Sequence, residues 1–153
     1  MVERGKKGFT LIEMLIVLII IAVLAVVVLP RIMNARRRAK DEATRQTLAQ
    51  LNTAVEEFEA DIGCYPTALG DMFARPSANY VGKGIAGTTV ADVTVVDADT
   101  LWKGPYFKAA AVPAVPLGNG SWTLITDTLT LLGKVRIVGI TTKAVDGSNY
   151  TDW

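Results

Sequence analysis

Gly8-Phe9-Thr10-Leu11-Ile12-Glu13-Met14-Leu15-Ile16-Val17 opens the stretch that decides the fold, an aliphatic run ending at Pro30 in which Glu13 is the one charged residue. About twenty apolar residues in succession can cross a hydrocarbon layer of roughly 30 Å as a helix. The preceding segment, Met1 to Gly8, is mostly polar and basic, with Arg4, Lys6 and Lys7. Three arrangements share this outline: a secretory signal peptide, an ordinary membrane anchor, and a short leader cut away from a helix that stays. A signal peptide needs a small-residue cleavage site after the apolar run. Here the run closes on Val26-Val27-Val28-Leu29-Pro30-Arg31, with no such pattern. An ordinary anchor leaves Glu13 unexplained, since a carboxylate costs roughly 2.5–3.5 kcal/mol near the bilayer centre and less near an interface. Glu13 lies about one turn into the run, so its position fits both a side chain that snorkels to the headgroups and a functional charge.

The local sequence separates these readings. Gly8-Phe9-Thr10-Leu11-Ile12-Glu13 closely resembles the processing motif of type IV pilins and type II secretion pseudopilins. The resemblance implies that a prepilin peptidase of the membrane cuts after Gly8 on the cytoplasmic side. It then N-methylates the new first residue, Phe9. It also implies that Glu13, at the fifth mature position, serves subunit assembly. Glycine gives the peptidase an unhindered backbone. Cleavage leaves a cationic amine on Phe9, and an apolar setting strengthens its attraction to Glu13 of a neighbouring subunit. Positive charge alone is ambiguous about orientation. Arg4, Lys6 and Lys7 flank one end of the run, and Arg31, Arg36, Arg37, Arg38 and Lys40 flank the other. Processing at Gly8 requires the leader to be inside, and that orientation is adopted.

Beyond Pro30, the residues Ile32, Ala35, Ala39, Ala43, Leu48, Leu51, Val55, Phe58 and Ile62 recur at spacings near three or four, with charged residues between them. This is the pattern of an amphipathic helix whose apolar stripe covers a small sheet. A continuous helix from Phe9 to Asp61 would measure roughly 80 Å. Pro30 removes one backbone hydrogen bond and is expected to kink or open that helix. The resemblance implies a similarly placed proline, while the glycine often found eight residues earlier is Ala22 here. The cluster Arg36-Arg37-Arg38 with Lys40 suits acidic lipid headgroups, but it is read first as a solvated face that pairs with Asp41, Glu42 or another subunit.

Gly63 is expected to end the helix. Gly63-Cys64-Tyr65-Pro66-Thr67 resembles the segment after the long helix of major pseudopilins. Trp102-Lys103-Gly104-Pro105-Tyr106 resembles their G-P-Y stretch. Pro113 to Asn119 resembles the loop that follows, with Val115 and Leu117 where the family has aspartate and tryptophan. Strands are expected over Thr88–Val96, Ser121–Ile125, Thr128–Leu132 and Val135–Thr141, the last three as a meander. The fold class is thus α+β: a long N-terminal helix packed on a small antiparallel sheet, as in pilins. The map is residues 1–8 leader, 9–30 membrane and assembly helix, 31–62 amphipathic second half, and 63–153 globular domain.

The chain has 153 residues and a net charge of +1, so charge gives no ground for a nucleic-acid partner. One cysteine, Cys64, allows no internal disulfide, and with no histidine a zinc site has few donors. No catalytic constellation is recognisable. Cys64 lacks a histidine base and is read as a plain thiol, so neither an enzyme nor a cofactor is expected. Major pseudopilins, which the chain resembles, commonly bind calcium through acidic residues near the C-terminus, and no metal site is expected in this chain. That region offers Asp146 and Asp152 around Gly147, Ser148 and Asn149, against about six to eight oxygens that calcium takes. The leading expectation is a pseudopilus subunit of type II secretion, in the inner membrane by a single span with its C-terminal domain outside the cytoplasm. Its partners would be copies of itself, minor subunits, the peptidase and the inner-membrane assembly machinery. A type IV pilin for motility, adhesion or DNA uptake is the alternative. A membrane-anchored binding domain that never polymerises is a third, against which Glu13 and the Gly8–Phe9 junction argue.

Overall fold

The computed structural model describes residues 8–109 and 111–153. In chain order it contains α1 (Leu11–Ile62), a 3-10 turn (Leu69–Met72), β1 (Tyr80–Ala86), β2 (Thr89–Val95), α2 (Ala98–Leu101), β3 (Ser121–Leu124), β4 (Val135–Val138) and a final 3-10 turn (Tyr150–Asp152). β1 pairs with β2, and β3 with β4, both antiparallel. One long N-terminal helix with small antiparallel sheets is the expected α+β, pilin-like class. The chain divides into two compact units, one ending at Arg37 and one spanning Arg38–Trp153.

In the first unit, Thr10 starts α1 by accepting the Glu13 N–H on its Oγ1 at 3.3 Å, which satisfies one of the helix's free amide donors. The helix is long and apolar enough to cross a membrane. Its large apolar side chains are exposed, among them Leu11, Leu18, Val23 and Val26. Pro30 lies inside the helix, whose span continues through it to Ile62.

In the second unit, α1 buries Asp41, Thr44, Leu48, Leu51, Ala54, Val55, Phe58 and Ile62, one stripe at spacings of three and four. The stripe expected from Ile32 onward therefore begins at Asp41 instead. Ile32, Ala35 and Ala39 are exposed. Ile32 and Ala35 lie in the unit that ends at Arg37, whose described residues include no strand to cover them. Phe58 is the centre of the core, fully buried, with the rings of Tyr80, Tyr106 and Trp102 meeting it edge to face at 5.6, 5.7 and 6.1 Å. Gly63, at φ +88°, turns the chain out of the helix in the left-handed conformation that glycine adopts without cost.

Two strand expectations need correction. Tyr80–Ala86 is a strand that the sequence did not announce, because Gly82 and Gly84 lower its β-propensity. Gly82 is required there by packing: a Cβ would stand 2.3 Å from Cys64 Sγ and 2.6 Å from the Tyr65 carbonyl. Thr128–Leu132, expected as a strand, is instead a turn. Leu131 N–H bonds to the Thr128 carbonyl, and Lys134 N–H to that of Leu131, at 3.1 and 2.9 Å. Ile125 and Lys134 then close the loop, so β3 pairs directly with β4, and there are two short hairpins rather than one meander.

Candidate assembly site

The Gly8–Phe9 junction lies ahead of the first helical residue, Leu11, in irregular exposed backbone. Among the described residues nothing stands within 4 Å of where a Cβ on Gly8 would be, and Phe9 is 76 % exposed. The basic leader residues Arg4, Lys6 and Lys7 lie outside the described residues.

Glu13 falls in the first turn of α1, where the partial positive charge of the helix N-terminus favours a carboxylate. Among the described residues, no cation of the same chain forms an ion pair with it. The structure thus places Phe9 and Glu13 together at the start of one exposed apolar helix, and Pro30 well along it. Arg36, Arg37, Arg38 and Lys40 are exposed, and none is in an ion pair among the described residues. Asp41, expected to pair on a solvated face, is instead buried. It accepts the Tyr150 hydroxyl at 2.6 Å and the Val145 N–H at 2.8 Å. Its place on the helical stripe that carries Thr44 and Leu48 was the one available signal.

Behind α1, Asp71 organises the Tyr65-Pro66-Thr67 loop. Its Oδ2 accepts the Ala68 N–H at 2.9 Å, the Thr67 N–H and hydroxyl at 3.0 Å, and the Tyr80 hydroxyl at 2.5 Å. Burial, then the bond to Asp71, raises the Tyr80 phenol above its usual range. Cys64 is 1 % exposed, and burial with the nearby Glu59 charge pushes its thiol up, away from the reactive thiolate. The G-P-Y stretch is tied to α1 through Asp61, which accepts the Lys103 ammonium at 2.6 Å and the Tyr106 hydroxyl at 3.1 Å.

The profile described as "Prokaryotic N-terminal methylation motif" matches residues 4–29. The type II secretion system core protein G of Klebsiella pneumoniae is 33% identical over 136 residues, covering 79% of this chain and 97% of that protein. The chain belongs to the type IV pilin and type II secretion pseudopilin family. Other members of this family match less of their length. The type IV wide pilus major component PilA4 of Thermus thermophilus is 48% identical over 65 residues, 40% of this chain and 47% of that protein. Core protein G of Dickeya chrysanthemi is 31% identical over 78 residues, 49% and 51% respectively. The chain thus spans about half the length of these last two relatives. No solved structure matches it. An apolar N-terminal helix behind a prepilin motif fits the membrane anchoring of a pseudopilin.

Proposed function

We propose that this chain is a structural subunit of a type II secretion pseudopilus, assembled through α1. The observation that carries the reading is the similarity to Klebsiella core protein G along nearly the whole of that protein, globular part included. In this account the peptidase cuts between Gly8 and Phe9 and methylates the new amine. The subunit waits in the inner membrane by a single span, residues 9–30, with its C-terminal domain outside the cytoplasm. The assembly machinery then lifts it into a filament of like copies and minor subunits.

Glu13 supplies the pairing rule. The apolar side chains of the first half of α1 are exposed among the described residues, so lateral packing of neighbouring helices in the filament covers them. A carboxylate in that layer, in no ion pair among the described residues, takes the Phe9 amine of an adjacent copy. A half-made pair in such a layer is strongly unfavourable, so only the register that joins both charges is stable. Pro30, with one helical hydrogen bond missing, marks where α1 can open as copies pack. The role is mechanical, and no step of it needs a cofactor.

A type IV pilin, acting in motility, adhesion or DNA uptake, is the second reading. The 48% identity to a Thermus wide-pilus component over 65 residues favours it. Deleting the gene and measuring protein release and surface filaments in the same cells separates the two. The proposal expects accumulation of secreted proteins inside the cell envelope with surface filaments unchanged. Loss of filaments with secretion intact would establish the pilin reading.

A further inference from the structure

The calcium implied by the resemblance does not fit the residues that form the C-terminal loop. Calcium takes about six to eight oxygen ligands, and each carboxylate here already faces donors. Asp146 Oδ2 receives the Arg45 guanidinium, and its Oδ1 receives the Ser148 N–H at 2.9 Å and the Ser148 hydroxyl at 2.6 Å. Asp152 Oδ2 receives the Asn149 amide at 2.9 Å. Asp41, 8 % exposed beneath the loop, receives Val145 N–H and Tyr150 Oη on separate oxygens. The open cleft beside these groups is lined by Arg38, Asp41, Glu42, Arg45, Val145 and Asp146, so two guanidinium groups already stand among its carboxylates. Among the described residues, no group of three acidic, histidine or cysteine side chains is placed to hold a metal.

We propose that Arg45 is the resident cation of this loop, and that residues 143–153 are ordered without calcium. A guanidinium is always charged and offers a planar fork, so it can neutralise a carboxylate and stack on a ring at once. Arg45 does both. It pairs with Asp146, and its guanidinium carbon lies 4.2 Å from the centre of the Trp153 ring, a cation–π contact. One helix side chain therefore grips the loop near its middle and at its end. Trp153 in turn donates its indole N–H to Ser148 Oγ at 2.8 Å and meets Tyr150 edge to face at 4.7 Å. Between these grips the backbone closes on itself, with Ala144 N–H bonded to the Ser148 carbonyl at 3.0 Å and Gly147 N–H to the Ala144 carbonyl at 2.9 Å. Arg45 on α1 thus supplies the positive charge that the Asp146 carboxylate faces.

Hydrogen exchange of the full chain in detergent micelles, read by mass spectrometry, tests this. Wild-type protein is compared in millimolar calcium chloride and in excess chelator, beside Arg45→Gln and Arg45→Lys. The two wild-type arms should superimpose over 143–153. Arg45→Gln should speed exchange there by about tenfold or more while Tyr80–Val95 stays as protected as before, and Arg45→Lys should fall between, keeping the charge and losing the fork. Protection of 143–153 that rises with calcium or falls with chelator in the wild type would overturn the proposal, and that comparison needs no variant. So would an Arg45→Gln loop as protected as the wild type's.

Discussion

Phe58 shows how a single residue organises the globular unit. It is fully buried and meets three aromatic rings edge to face, each such pair adding about 0.5–1.5 kcal/mol beyond the area it hides. Phe58→Ala should cost about 3–5 kcal/mol, because the rings around it cannot all close on the space it leaves. Thermal unfolding of the globular unit, followed by circular dichroism, should show a melting temperature lower by about 10 °C or more. Titration gives a second residue-scale expectation. Asp146 is held below the usual carboxylate range, first by its hydrogen bonds from Ser148 and then by Arg45. Asp61 is held below it first by Lys103. A lowered folded pKa means that these groups stabilise fully at neutral pH and stop doing so as pH falls through about 4 and below. Tyr80 is shifted the other way, so its contribution is whole below about pH 10 and is lost as pH rises beyond that. Stability against pH, measured by denaturant unfolding, should thus fall on both sides of a neutral plateau. A flat profile from pH 3 to 7 would contradict the acid arm. Leu48, Leu51, Val55, Phe58 and Ile62 were legible in the sequence, since helical spacing alone puts them on one face. Asp41 was not. Its donors, Val145 and Tyr150, lie 104 and 109 residues downstream, and no local pattern links them.

At the scale of elements, α1 was readable from an aliphatic run, a resumed amphipathic period and a glycine stop, with Pro30 the one local signal against a continuous helix. The sheets were read less well, for reasons that differ between strands. β1 carries glycines that propensity counts against, yet the close approach of Cys64 and Tyr65 demands the one at position 82. Thr128–Leu132 has strand-like composition, but a strand needs a neighbour, and the bond from Ile125 to Lys134 gives that edge to β4. Gly82→Ala should therefore destabilise by about 1–3 kcal/mol through overpacking against the Cys64 side chain and the Tyr65 backbone. Gly70→Ala, with open space around it and no left-handed backbone, serves as the control and should change stability little. Equal effects of the two substitutions, measured by chemical denaturation, would show that the contact at Gly82 is not what holds β1 in place.

Across the whole molecule, the two units have opposite relations to water. Residues from Arg38 onward hide an apolar core. The first unit leaves its aliphatic side chains bare. A protein rarely exposes so long an apolar face unless lipid or another copy covers it. The proposed cycle uses both in turn, the membrane first and neighbouring subunits afterwards. The motif from which the Gly8–Phe9 junction and Glu13 are proposed is contiguous in sequence and lies within the matched residues 4–29. How Glu13 is paired was not legible there, because its proposed counter-ion is created only by cleavage and belongs to another copy. The decisive measurement is the yield of pelleted filaments from cells expressing Glu13→Ala, with the mass of the subunit recorded in the same samples. The account predicts a subunit still cut before Phe9, with filament yield reduced on the order of tenfold or more, because a charge left alone in an apolar layer costs several kcal/mol. Filaments as abundant as those of the wild type would contradict it.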